Sequence, residues 1–384
     1  MALIFFLIVL SVLVLIHEAG HYVAARIFKV KADEFGYGFP PRAIGFVRDG
    51  GRWKKVGRGD RREYQNTIWS LNWLPLGGFV RIKGEQADGQ NDADSFHMQP
   101  VWKRMVILAA GVAMNWLLAF VLFVIVFTIG TKVELDGLPA GAVIRDSAVR
   151  ITQVLPGSSA EKAGLQIDDA ILRVAGAPIQ TYAQARDLIA AQGEAPYAIQ
   201  VERDGNTIEQ TVQSTYEAQL GRVALGVGIA DVGLVSFPFL TSLKVSATAT
   251  YGYTKAIILT FYDILKKIFT RHEITEQIAG PVGVAVITGQ MAKLGIVPLL
   301  QFSAILSINL AVINFLPIPA LDGGRFLFLA IEKLRRRSMN RALEAAIHNI
   351  AFMLLIILIL FVTISDVSKY SSDIIGGLRG LVGM

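Results

Sequence analysis

The chain contains no cysteine. No disulfide can brace it, and any metal site must be built from histidine and carboxylate. Histidine is scarce as well, with five in 384 residues. Charge is thin: 18% of residues are charged against 53% hydrophobic. That balance suits a membrane protein with an inserted soluble domain rather than one globular core. The net charge of +6 is modest, and nothing in its pattern points to nucleic acid. The first apolar run lacks the basic n-region and A-x-A site of a cleaved signal peptide, so it reads as a retained span.

What the chain does have is long apolar runs. A membrane-spanning helix needs about 20 such residues, and four segments qualify, roughly 2–28, 105–129, 296–316 and 346–364. The expected fold is a polytopic α-helical membrane protein with four transmembrane helices. Residues 1–130 form the first half of its core. Between the first two spans, a Gly-rich stretch over 33–85 reads as strands. Its segment Ile68–Ile82, apolar around Pro75 and Gly77-Gly78, reads as a β-hairpin whose aromatics suit the membrane interface. Residues 86–99 read as a polar, mobile linker. Residues 131–235 carry soluble α+β patterning, with a core over 150–215 and strands at 151–154, 196–203 and 207–213. A helix is expected near 181–192. Residues 236–295 form an amphipathic linker, in which 245–264 lies on the membrane as a surface helix. Residues 296–384 form the second half of the membrane core.

Charge is also unevenly placed. Residues 26–104 hold fifteen Lys/Arg and nine Asp/Glu, whereas 131–240 hold eight and thirteen. By the positive-inside rule the first segment is cytoplasmic and the second translocated. The basic runs at 52–62 and 333–341 face cytoplasm and anionic lipid.

The first run closes on His17-Glu18-Ala19-Gly20-His21, which reads HExxH. Residues i and i+4 share a helix face, so His17 and His21 can hold one zinc ion while Glu18 reaches a metal-bound water. No charge occurs between residues 2 and 16, which sets this chemistry inside a membrane. Ionisable residues there are costly and mark function. A third candidate ligand, Asp322, follows the third span in Asn314-Phe315-Leu316-Pro317-Ile318-Pro319-Ala320-Leu321-Asp322-Gly323-Gly324. Pro317 and Pro319 end that helix, and the two glycines permit an irregular turn. With four spans, the first and third run the same way, so His17, His21 and Asp322 meet on one side. Were 245–264 to cross, Asp322 would emerge roughly 30 Å away. Asp322 could instead cap the helix that follows. Asn115, about ten residues into the second span, is a candidate donor to a substrate carbonyl or oxyanion, as are Asn309 and Asn314; Asn115 could instead simply bond a neighbouring helix. His97, His272 and His348 read as surface residues.

HEAGH at 17–21, LPLGGFVRI at 74–82, GVAMN at 111–115 and NFLPIPALDGG at 314–324 together resemble the site-2 protease family of intramembrane zinc metalloproteases. The likeness is to the bacterial branch that includes the regulator of sigma-E protease. It implies one zinc per chain on His17, His21 and Asp322, with Glu18 as general base. It also implies that the hairpin, with Gly77, Gly78 and Phe79, pairs with an unwound substrate as an added strand, and that Pro317 and Pro319 lie beside that substrate. Segment 150–215 looks like a PDZ domain. The implied partners are membrane lipid and single-span membrane proteins, such as anti-sigma factors or remnant signal peptides. The implied location is the bacterial inner membrane, with the PDZ-like domain extracytoplasmic and the hairpin on the cytoplasmic side. The other reading is a non-catalytic scaffold that presents the PDZ-like domain.

Overall fold

Residues 2–16 contain no charge and no helix breaker, and in the computed structural model they open a 26-residue helix, α1 (Ala2–Ile27). The structure describes residues 2–60, 62–85, 92–203, 205–217, 222–271, 280–337 and 339–369. His272 and residues 86–91 of the expected linker lie outside the described residues. The chain divides into two units, one made of the residues up to Val124 and from Ser246 onward, the other of Ile125–Val245.

In the first unit, α1 leads into β1 (Ala32–Asp49), β2 (Arg52–Val56) and β3 (Ile68–Ile82), which form a sheet in the order β2-β1-β3. β1 and β3 both bend. Phe35, Gly36 and Tyr37 have partners on two sides, at Val80, Phe79 and Gly78 and at Trp69, Ser70 and Leu71. The segment 68–82 thus turns back on itself as expected, but around β1 rather than as a free hairpin. Trp69, Leu71, Trp73 and Leu74 stay exposed along it, which suits a surface that meets lipid.

An ion pair is buried in this sheet. Arg42 donates from Nε to Glu34 Oε1 at 2.8 Å and from Nη2 to Oε2, and both side chains are at most 10% exposed. Burial raises the Glu34 carboxyl, but the Arg42 guanidinium outweighs it and holds the group below the usual carboxylate range. Removing one partner of such a pair leaves a buried charge unpaired. Glu34→Gln is therefore expected to destabilise the fold by about 3–5 kcal/mol, measured by thermal unfolding in detergent. A depressed folded pKa contributes stability above the ordinary carboxylate pKa and loses it as pH falls through the depressed value. The gap between variant and wild type should narrow in acid.

The next helix, α2 (Val101–Ile129), runs antiparallel to α1, because Gly20 abuts Ala110 and His17 meets Asn115. A Cβ at Gly20 would collide with the Ala110 carbonyl oxygen, so glycine is what lets the two helices touch.

Ile125–Val245 is an α+β unit. β4 (Thr131–Glu134) and β5 (Val143–Val154) precede a short helix, α3 (Ser159–Lys162), then β6 (Ala170–Val174), β7 (Ala177–Pro178) and α4 (Tyr182–Ala191). β8 (Pro196–Arg203), β9 (Asn206–Gln213), β10 (Thr215–Glu217), β11 (Arg222–Ala224) and β12 (Val227–Ser236) complete it. The main sheet has the order β4-β12-β5-β6-β8-β9, with β7 on β6. Ser158 accepts from Glu161 N and Thr181 from Gln184 N, so both helices start on side-chain caps. The core holds Val149, Ile151, Ile171, Ile199 and Val201, inward positions of the strands, with Leu165 from the loop after α3.

The chain then forms α5 (Phe239–Arg271), α6 (Pro281–Leu294), α7 (Ile296–Phe315), α8 (Asp322–Arg335) and α9 (Arg341–Lys369). Among the described residues, four helices are long and apolar enough to cross a membrane: α1, α2, α7 and Ala342–Lys369 of α9. Among the described residues α5 is not one of them. It turns Ser246, Thr250 and Thr254 inward, and Thr254 accepts from Trp116 Nε1 at 3.0 Å. Asp366, near the end of α9, accepts from Gly283 N in the first turn of α6 at 2.7 Å, and Gly289 of α6 abuts Ala2. The start of α1 and the end of α9 thus share one face. His17 lies about 22 Å along α1 from Ala2, on the other.

Candidate metal centre

α1 brings His17 and His21 to one face, both buried. The third group arrives from the turn between α7 and α8. His17 Nε2 lies 2.9 Å and His21 Nε2 3.2 Å from Asp322 Oδ2, and the two Nε2 atoms are 3.2 Å apart. Three zinc ligands at tetrahedral angles, with bonds of about 2.0–2.1 Å, stand about 3.3 Å from one another. The donor set is nitrogen, nitrogen and carboxylate oxygen, which zinc accepts. Size and chemistry both fit one such ion, with a coordination position left over. This is the one such cluster among the described residues. Asp322 is not a cap: the residue before α8 is Leu321, and no side chain caps that helix.

The imidazoles are oriented from behind. His21 Nδ1 lies 2.8 Å from the Ile107 carbonyl oxygen, to which it donates, leaving Nε2 a bare lone pair. Asn115 sits 3.2 Å from His17 Nδ1 through Nδ2, while its Oδ1 is buried with no partner among the described residues. With the amide turned over, Oδ1 accepts from His17 Nδ1–H, and both rings present bare Nε2 atoms. Asn115 has no exposed surface, so the direct substrate contact expected for it is not open; its amide faces His17. Asn115→Ala is expected to lower zinc affinity about 10–100-fold, read by competition with a chromophoric chelator. Unchanged affinity would remove Asn115 from the centre. Gly111 faces the same rings: a Cβ there would meet His21 Nε2 and His17 Cε1.

Glu18 points elsewhere on α1. Val80 N donates to its Oε2 at 3.0 Å. Three residues back along β3, Ser11 sits 3.3 Å from Gly77 N, and Gly77 and Gly78 let Val14 and Leu15 approach closely. Ser11, Val14, Leu15 and Glu18 are one helical stripe, so α1 lies along the strand that the sequence marks for substrate. Phe79 instead lines a polar cavity of about 970 Å³ with Glu34, Arg42, Asn72 and Glu85.

The turn carrying Asp322 is tightly packed. Gly323 and Gly324 are helical, not irregular as expected. A Cβ on Gly323 would strike the Leu316 and Phe315 carbonyl oxygens, and one on Gly324 the Ile318 carbonyl. Both are needed for close approach. Pro317 and Pro319 lie in the turn itself, Pro317 exposed. Asn309 donates to Ile305 O of its own helix at 3.4 Å, and Asn314 is half-buried. Three contacts were not visible in the sequence: Val80 N with Glu18, an ion pair between Arg325 and Glu85, and the Ala320 N–H bonded to His348 Nδ1. His348 is thus half-buried and bonded rather than a surface residue, and His97 is also half-buried.

The model of peptidase family M50 matches residues 5–56 and 60–358. The zinc metalloprotease RasP of Geobacillus kaustophilus is 28% identical over 450 residues, covering 96% of this chain and 98% of its own. The regulator of sigma-W protease RasP of Bacillus subtilis is 27% identical over 444 residues, covering 95% of this chain and 97% of its own. Matches of such length, on a chain whose HExxH histidines and distant aspartate converge, are matches to the whole protein. This chain is therefore a zinc metalloprotease of peptidase family M50, the site-2 protease family.

Proposed function

We propose that the protein is an intramembrane endopeptidase that cuts transmembrane segments of single-span membrane proteins, with zinc held by His17, His21 and Asp322 and Glu18 as general base. The observation that carries this reading is the convergence of those three ligand atoms, from α1 and the start of α8, in a chain with four described helices apolar enough to cross a membrane. A zinc ion held by His17, His21 and Asp322 would supply Lewis-acid polarisation of a scissile carbonyl and acidify the attacking water. Glu18 takes the proton of the attacking water and passes it to the leaving nitrogen. His21 and His17 keep their Nε2 lone pairs free because Ile107 O and Asn115 hold the opposite ring atoms.

A transmembrane helix must unwind to expose a peptide bond, and its freed backbone groups then need partners. Strand addition to β3 answers that need. Along α1 the amides of Gly77 and Val80 already face Ser11 and Glu18. An incoming strand therefore pairs elsewhere on β3 or displaces those side chains. Between α4 and β12 lies a second groove of about 400 Å³, lined by Tyr182, Arg186, Ile189 and Val227 among others. β12 pairs with β4 only from Val232 onward, so its edge near Val227 is open beside α4. That geometry supports a PDZ-like site for an extended peptide.

The charge asymmetry of the loops supports a cytoplasmic metal face and an extracytoplasmic α+β unit. Anti-sigma factors are the first substrates to try, by likeness to a relative named as a regulator of sigma-W. The test is cleavage of a panel of single-span proteins in liposomes, with product masses placing the cut. Cuts inside the apolar segment support the reading. Cuts confined to soluble flanks, or none by a zinc-loaded enzyme, would count against it. A purely scaffolding protein has no use for a general base beside a complete ligand set.

A further inference from the structure

The turn that presents Asp322 contains little to hold it. Pro317 and Pro319 have no N–H. Leu316 N bonds back to Val312 and Ile313 of α7, Ile318 N to Leu316 O, and Leu321 N to Ile318 O. All of these are local. The remaining amide, that of Ala320, donates out of the turn, at 2.8 Å, to His348 Nδ1 on α9. Ala320 also has φ +81°, a left-handed conformation that a residue with a Cβ rarely adopts without support. The His348 ring meets Phe328 of α8 at 5.3 Å between centroids. One side chain thus touches the chain two residues before Asp322 and again six residues after it. Because Nδ1 accepts, the ring proton is on Nε2, which is buried with no partner among the described residues. Such an orphan is costly, so the Ala320 amide alone selects this tautomer.

We propose that His348 is a positioning residue for the metal centre: it pins the Ala320 amide and so sets where Asp322 presents its carboxylate. It does not touch the metal or the substrate, and it acts through the turn. This inference rests on the reading that Asp322 is a zinc ligand.

Two amide substitutions separate the acceptor from the ring. In His348→Asn, Oδ1 takes nearly the place of Nδ1 and can accept from Ala320. In His348→Gln, the acceptor lies one bond further out and misses it. Both are neutral and polar, so neither differs greatly in what it asks of the fold. The measurement is zinc affinity of the full chain in detergent, by competition with a chromophoric chelator, alongside thermal unfolding of the zinc-free protein. His348→Gln is expected to lose about 10–100-fold in affinity, with His348→Asn close to wild type and zinc-free melting alike in all three. Cleavage should follow in kcat with KM unchanged. Wild-type affinity in His348→Gln, or equal loss in both variants, would overturn the proposal. Asp322→Ala, run beside them, reports on the underlying reading: if that variant keeps full affinity, the ligand assignment fails, whatever His348 does.

Discussion

Glu18→Gln is expected to keep about one zinc per chain and to lose cleavage by about 10²–10⁴-fold, the range for a positioned general base. Glutamine preserves size and can still meet the Val80 N–H, which now holds Oε2 of the glutamate at 3.0 Å. The helix should not move, and neither should the ligands, because Glu18 contributes none of the three donor atoms. What disappears is a group able to take a proton. The comparison needs a substrate with a cut mapped inside its apolar segment, equal amounts of enzyme and measured zinc content in both proteins. Equal cleavage by the two would end the proposed mechanism. Loss of zinc together with activity would instead mean that Glu18 helps to build the centre.

Removing a ligand should have the opposite signature. Asp322→Ala and His21→Phe are each expected to reduce bound zinc from about one per chain to a small fraction of that, and to abolish cleavage with it. Two histidines alone make a poor zinc site, since catalytic zinc takes three protein ligands and one open position. The losses should not be interchangeable in their effect on the protein. His21 is fully packed and donates to Ile107 O, so His21→Phe leaves that buried acceptor unpaired. Asp322 stands at the start of α8, half-buried, with its carboxylate turned to the two rings. Asp322→Ala should therefore unfold more like the zinc-free wild type. Metal analysis after size-exclusion chromatography reads the content, and full zinc occupancy in Asp322→Ala would exclude it as a ligand.

Much of the membrane core could be read from one dimension. Apolar run length is a local property, and α1, α2, α7 and α9 follow the four expected segments within a few residues. HExxH is also local, because a helix fixes the relation of residues i and i+4. In 131–235 the strands at 196–203 and 206–213 and the helix at 182–191 follow from alternation and periodicity. Charge set 245–264 apart from the spans in the sequence, and α5 is not among the helices apolar enough to cross a membrane.

The sequence could suggest that Asp322 belongs with His17 and His21, since the count of spans puts them on one side. Only the fold brings the carboxylate to 2.9 Å from a ring nitrogen across 305 residues. The contacts of Asn115 with His17 and of His348 with Ala320 were beyond the sequence for the same reason. A side chain's partner depends on which helices touch, and Gly20 against Ala110 decides that for Asn115. The Val80 amide that meets Glu18 is a backbone group, which leaves no mark in the residue alphabet at all. The sequence by itself determined the apolar runs and the residue types of the candidate ligands, because these depend on composition and near neighbours along the chain. The tertiary structure decided how each ligand is held, because hydrogen bonds between helices depend on distances and directions that spacing along the chain does not encode.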